Sequence, residues 1–240
     1  MLVAAAVCPC PPLLVPEVAA GAAPELDAVR SVCADAVGVL AAARPDLLIV
    51  AGPAGPDGGG AFPPGSAGSF AGFGVELTVR LGEAPAASGT SASRPLPASL
   101  AVGAWLLERA RWAGAPVEGL GVGEPMDARR CAEAGRGIAA RADRVAMLVM
   151  GDGSACRTVK APGYLDDRAV GFDAAAARAL GTADLAALGA LDETLAHELA
   201  VAGRASWQVL AGAAEGAGLG GQLLYEAAPY GVGYVVASWS

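Results

Sequence analysis

The run Val145-Ala-Met-Leu-Val-Met150 carries no charge and closes on Gly151-Asp152-Gly153-Ser154-Ala155-Cys156. Six apolar residues in a row, stopped by glycines and an aspartate, are the pattern of a strand covered on both faces, the usual condition of a parallel sheet. A parallel strand needs a crossover connection, and the helical periodicity over residues 126–141 just upstream supplies one. In open α/β sheets the loop at the carboxyl end of such a strand is where ligands bind. An α/β chain with a site near Asp152 is the first expectation.

The remaining segments fit that frame. Residues 2–7 predict a second buried strand, left at Cys8-Pro9-Cys10-Pro11-Pro12 because three prolines in four positions cannot keep ladder hydrogen bonds. Pro24 sits where a helix can start, and Leu26, Val29, Cys33, Val37 and Leu40 recur at helical spacing up to Arg44. Residues 47–51 predict a strand, 52–69 a long irregular loop, 75–80 a strand and 82–97 a further loop. Ser99 is the candidate cap of a helix reaching Ala113, with Trp105 and Trp112 on one face. A strand over 117–122 precedes the crossover helix. After the central run, 172–180, 184–188, 192–202 and 206–213 read as helices, with Asp192 as a cap, and 222–226 and 232–239 as strands. No Ser/Gly-rich linker divides the periodic blocks, so residues 1–240 are expected to form a single domain.

Composition removes several function classes. A net charge of −8 leaves no basic surface for nucleic acid or an anionic membrane. No apolar run approaches a membrane span, and residues 1–7 are too short and lack the basic flank of a secretory signal. Five cysteines without such a signal predict reduced thiols in the cytoplasm. The chain holds one histidine, His197, which excludes any site needing two histidines from one chain.

Several motifs could carry chemistry, and each has a plainer explanation. Gly119-Leu-Gly-Val-Gly123 lacks the spacing of a dinucleotide loop and reads as turn glycines. Ser154, with Asp152 two residues before it, resembles a nucleophile elbow without its full pattern, and His197 is the one candidate base. Cys8, Cys10 and Cys156 all follow strand ends, so they are weak candidates for a soft-metal or redox site; the plainer reading is buried packing. Cys33 and Cys131 fall inside helices and read as packing.

The order of segments resembles the class III extradiol ring-cleavage dioxygenase superfamily, in its subunit-B-like, MEMO-related branch. Pro9-Cys10-Pro11-Pro12-Leu13-Leu14-Val15-Pro16-Glu17-Val18 is similar to the family's Pro-His-Pro-Pro-Leu-Leu-x-Pro-Glu-Val segment, with Cys10 for His. Pro45-Asp46 through Gly52-Pro53-Ala54 resembles Pro-Asp, an apolar strand, then Ser-Pro-His. Ser69-Phe70-Ala71-Gly72-Phe73-Gly74 echoes a Phe-Gly-rich middle. Gly151-Asp152-Gly153-Ser154-Ala155 resembles Gly-Asp-x-Ser-His, followed by a similar Ala161-to-Tyr164 and Phe172-Asp173 continuation. Val201-Ala202-Gly203 stands where many relatives carry Glu-Cys-Gly, and Tyr225-Glu226 through Tyr234 fits the family's ending.

The resemblance implies a single α/β domain around a mixed, mostly parallel central sheet with helices on both faces. It also implies Fe(II) held by two His and a carboxylate, with a further His as acid/base. The matching positions here are Cys10, Ala54, Ala155 and Val201, so no cofactor is expected and ring cleavage by the family route is not. The expected ligand pocket comprises Cys10, Pro53, Ala54, Asp152, Ser154, Ala155 and Val201, open to an unidentified small molecule or protein partner. Self-association is a further option. The alternative is an enzyme using a new constellation around Cys10, Asp152, Ser154 and Cys156, with His197 four residues, one helical turn, before Val201.

Overall fold

The computed structural model describes residues 1–55, 58–83 and 94–240; the expected 82–97 loop therefore lies partly outside the described residues. In chain order the strands are β1 (Leu2–Cys8), β2 (Leu47–Ala54), β3 (Gly60–Phe62), β4 (Ala67–Ser69), β5 (Thr78–Arg80), β6 (Val117–Gly123), β7 (Val145–Met150), β8 (Gly221–Ala227) and β9 (Tyr234–Trp239). The α-helices are α1 (Pro16–Ala19), α2 (Asp27–Ala42), α3 (Ala98–Arg109), α4 (Ala128–Ala139), α5 (Arg168–Thr182), α6 (Leu185–Gly189), α7 (Glu193–Glu198) and α8 (Arg204–Ala213). None of these is long and apolar enough to cross a membrane.

Seven strands form one sheet in the order β3-β6-β2-β7-β1-β9-β8, and β4 pairs with β5 as a separate hairpin. The four central strands β6, β2, β7 and β1 are parallel, while β3 and β9 run against them. Because β8 is antiparallel to β9, it runs with the central four. The sheet is mixed and mostly parallel, in a single α/β domain.

Strand β7 sits at the centre, and its residues alternate between two cores. Val145, Met147 and Val149 pack under α4, α5 and α8, whereas Ala146, Leu148 and Met150 pack under α2 and α3. Each fully buried Val, Leu or Met contributes on the order of 1.5–3 kcal/mol. This two-sided burial is why the strand is apolar throughout instead of alternating with polar residues. Strand β1 obeys the same period after a register shift between Leu2 and Ala4.

On one face α4 and α8 approach backbone to backbone. A Cβ on Gly135 would overlap Val209 O, and one on Gly212 would overlap Ala132 O. Among the crossover helices, α4 starts at Ala128, two residues later than the 126–141 periodicity, and the Asp127 carboxylate caps it by accepting from Arg130 N at 2.9 Å. Asp184 and Asp192 cap α6 and α7 in the same way.

Several expectations need correction. Residues 52–69 are not wholly irregular: β2 continues to Ala54, and β3 and β4 follow. The helix expected to reach Ala113 ends at Arg109, and Arg111 at φ +53° turns the chain, so Trp112 leaves the helix face carrying Trp105. Trp112 instead donates its indole N–H to Ala115 O at 2.9 Å. Ser99 is not a cap, because α3 starts one residue earlier; its hydroxyl donates to Pro53 O at 2.6 Å and ties α3 to the end of β2. The glycines of 119–123 are not turn residues but lie within β6. Gly121 is required there by close approach: a Cβ on it would overlap Gly58 O. The helix expected over 192–202 stops at Glu198, and Ala200 at φ +51° carries the chain into α8.

Candidate functional site

The carboxyl ends of β1, β2, β6 and β7 open onto one end of the sheet, and main-chain hydrogen bonds fix how their loops lie there. Gly151 N donates to Cys8 O at 3.0 Å, coupling the exits of β7 and β1. Gly153 N donates to Gly233 O at 2.7 Å, and Gly233 N returns to Ser154 O at 2.8 Å. Ala155 N reaches Leu199 O at 3.0 Å, and Gly203 N reaches Asp152 O at 2.8 Å. The loop 151–155 is thus held from β1, from the entry to β9 and from the segment before α8.

Asp152 lies at the centre of this arrangement and is partly buried. Its Oδ1 accepts from Cys10 N at 2.8 Å, and its Oδ2 faces Cys10 Sγ at 3.8 Å. Burial pushes the Asp152 carboxyl up to about 6, against the two Cys10 hydrogen bonds that pull it down. Burial, then the neighbouring Asp152 charge, pushes the Cys10 thiol well above its ordinary range, so it stays protonated. Tyr234 packs beside the pair at the start of β9; burial first, then Asp152 and Cys10, raise its phenol too.

Ser154 belongs to a different unit. It is fully buried, and both its N–H and its hydroxyl donate to Asp173 on α5, at 2.7 and 2.8 Å. Arg157 completes the group at 2.9 Å from Asp173 Oδ2. Gly153 and Gly233 leave the space this carboxylate fills: a Cβ on Gly233 would stand 2.5 Å from Asp173 Oδ2. Ser154 is therefore turned into the protein, away from Asp152 and His197.

The cysteines do not converge. Cys8 and Cys10 belong to the core under α2 and α3, and Cys156 to the core on the other side of the sheet. Cys156 Sγ is held at 3.4 Å from Leu199 O and 3.5 Å from Gly163 O. A hydrogen bond with Cys33, then burial, pushes the Cys8 thiol up. Among the described residues no three His, Cys, Asp or Glu side chains form a group able to hold a metal ion. His197 is exposed in the last turn of α7, where its charge bears on Glu124 rather than on Ser154 or Cys10.

Three of the expected pocket positions, Pro53, Ala54 and Val201, do meet. Pro53 and Ala54 at the end of β2 face Ala200, Val201 and Ala202 across a cleft of about 340 Å³, with Gly55 and Glu124 completing its wall. Cys10, Asp152, Ser154 and Ala155 do not line it. Glu124, just past β6, is a site residue the sequence did not single out. Burial raises its carboxyl, an effect opposed by Arg204. Arg204, 2% exposed at the start of α8, donates to Met126 O at 2.7 Å, to Gln208 Oε1 at 3.0 Å and to Glu124 O. A single charge opening an otherwise uncharged helix, Arg204-Ala-Ser-Trp-Gln-Val-Leu-Ala, is the available signal, since a buried guanidinium needs acceptors supplied by neighbouring elements.

A larger groove of about 950 Å³ lies beside Leu107, Trp112 and Val117, at the opposite end of β6. Ligand sites in open parallel sheets lie at the carboxyl ends of strands, so the smaller cleft is the better placed of the two.

No protein-family model matches the chain, and no curated protein matches it in sequence. Among solved structures, an uncharacterised protein of Escherichia coli K12, JW3007, is similar over 99% of each chain, with a TM-score of 0.57 at 14% identity. At that identity the likeness concerns the fold alone.

Proposed function

We propose that this chain is a degenerate relative of the class III extradiol dioxygenase-like superfamily, without the iron site and ring-cleavage chemistry, whose cleft between β2 and the 200–202 turn takes a small molecule. One observation carries the reading. Of the four positions that the resemblance assigns to ligands and base, Ala54, Ala155 and Val201 end in carbon, and Cys10 alone has a donor atom. That thiol faces Asp152 and is kept protonated by burial. A carbon-only side chain offers neither a lone pair to a metal nor a proton to a substrate. Fe(II) does not fit this donor set, and no reaction step is derived through it.

Elemental analysis of untagged protein, with a catechol ring-cleavage assay in added ferrous iron, tests the proposal. Iron far below one equivalent and no cleavage are expected. Stoichiometric iron together with cleavage would overturn it.

A second reading keeps an active enzyme of the same fold. The proposed constellation of Cys10, Asp152, Ser154 and Cys156 divides into separate units, and the Cys10–Asp152 pair is the part at the sheet's ligand-binding end. A carboxyl near 6 is suited to proton transfer near neutrality, which is the observation in its favour. A turnover found by substrate screening and lost in Asp152→Asn would favour this reading.

A further inference from the structure

Among the described residues, the cleft's lining has one ionisable side chain. Pro53, Ala54, Ala200, Val201 and Ala202 offer ring carbons, methyl groups and main chain, and Glu124 supplies the single carboxyl. At about 340 Å³ the space is at the small end of ligand pockets, which run roughly 300–1,000 Å³, and suits a single ring or a short branched chain.

Charge and hydrogen bonding around Glu124 decide what that ligand carries. Two carboxylates flank the buried Arg204 guanidinium: Glu124 Oε1 is 3.4 Å from Arg204 Nη2, and Glu193 Oε1 is 3.9 Å from Arg204 Nη1. Arg204 is thus shared between two carboxylates, and the exposed His197 also bears on Glu124. Arg204 spends its donors mainly on the carbonyls of Glu124 and Met126 and on Gln208, so its contact with the Glu124 carboxyl is long. Glu124 Oε2 has no partner among the described residues, while the side chain as a whole keeps 31% of its surface exposed. The terminal torsion of a glutamate is soft, so the carboxyl can turn toward a donor presented from the cleft. At the β2 end, Pro53 O already accepts from the Ser99 hydroxyl at 2.6 Å.

We propose that the cleft binds a small organic cation, a primary or secondary ammonium on an apolar body, with Glu124 as its counter-ion and Pro53, Ala54 and Val201 as its apolar wall. A charge-assisted hydrogen bond to a partly buried carboxylate is about twice as strong as a neutral one, so an ammonium is selected over a hydroxyl of the same shape. The inference rests on the reading that the cleft still takes a small molecule, and it adds the ligand's class.

The test is a comparison of benzylammonium with benzyl alcohol. Each is titrated into isotopically labelled full-length protein near neutral pH, following the amide resonances of Ala54, Val201 and Ala202. The expected result is saturable shifts at those amides with benzylammonium, at least tenfold weaker binding of benzyl alcohol, and loss of that preference in Glu124→Gln. Equal affinity for the two probes would overturn the inference while leaving a small-molecule cleft in place. Binding of neither would also overturn it, and the iron and ring-cleavage measurements would then judge the broader reading on their own. If Glu124→Gln does not fold, the wild-type preference between the two probes still decides the matter.

Discussion

Asp173 accepts both polar hydrogens of Ser154, the main-chain N–H at 2.7 Å and the hydroxyl at 2.8 Å. The Gly-Asp-x-Ser stretch therefore works as a clamp that joins the loop after β7 to α5. With its hydroxyl committed to a buried carboxylate, Ser154 is a structural residue.

Removing the carboxylate leaves Ser154 N–H and Arg157 without their partner. Asp173→Ala is expected to lose about 3 kcal/mol or more, the usual cost of breaking a buried charged group's contacts from one side. Ser154→Ala removes one hydrogen bond and should lose about 1 kcal/mol. Urea unfolding with unchanged m-values measures both. A fluorophosphonate probe should leave native Ser154 unlabelled, and labelling would show the hydroxyl to be free.

Asp152 gives a pH signature of defined sign. Its folded carboxyl titrates near 6, whereas an unfolded aspartate titrates near 4, so the folded chain holds the proton more tightly. Its contribution to stability is complete below about pH 4 and is lost as pH rises through about 6. The loss is at most about 3 kcal/mol, since one pKa unit corresponds to ~1.4 kcal/mol. Stability measured from pH 4 to 8 for wild type and Asp152→Asn should diverge in the variant's favour and then run parallel. Curves that stay parallel throughout would count against the raised carboxyl.

Two glycines in α4 should respond to alanine with opposite signs. Gly137 is exposed with nothing near its missing Cβ, so Gly137→Ala should stabilise by about 0.5–1 kcal/mol through helix propensity. Gly135 lies against the backbone of α8, where an added Cβ would stand 2.5 Å from Ala213 N, so Gly135→Ala should destabilise by about 2 kcal/mol or more despite the same propensity gain. Thermal melting of the pair reads the difference directly.

All five cysteines are buried as free thiols, and burial raises Cys10, Cys131 and Cys156, with Cys131 reaching about 11. A disulfide-exchange reagent at mildly alkaline pH should titrate no thiol rapidly in the native protein and five after denaturation. A fast native thiol would place one of them at the surface.

Much of the fold could be read from the sequence because burial writes itself into local pattern. Val145–Met150 and Leu2–Cys8 are apolar in unbroken runs because helices cover both sides of the sheet. Asp192 announces its helix because a cap must precede the turn it serves. What was hidden depended on partners far along the chain. Nothing local told that Ser154 would meet Asp173 rather than His197, or that Cys156 would end on the far side of the sheet from Cys10. Glu124 carries no local signal because its partner, Arg204, lies eighty residues later. Gly121 of β6 reads locally as a turn glycine because its cause, the passage of Gly58 over it, is a tertiary contact.

The loops at the carboxyl end of the sheet are tied chiefly through peptide groups: Gly151 to Cys8, Gly153 and Ser154 to Gly233, Asp152 to Gly203, Ala155 to Leu199. Peptide groups are common to nearly every residue type, so these ties constrain backbone course and small size while leaving most side-chain identity unconstrained. Positions such as Ala54, Ala155 and Val201 can then drift under mutation without unmaking the architecture around them. That decoupling lets three-dimensional likeness to another protein extend along the whole chain while sequence identity falls to 14%.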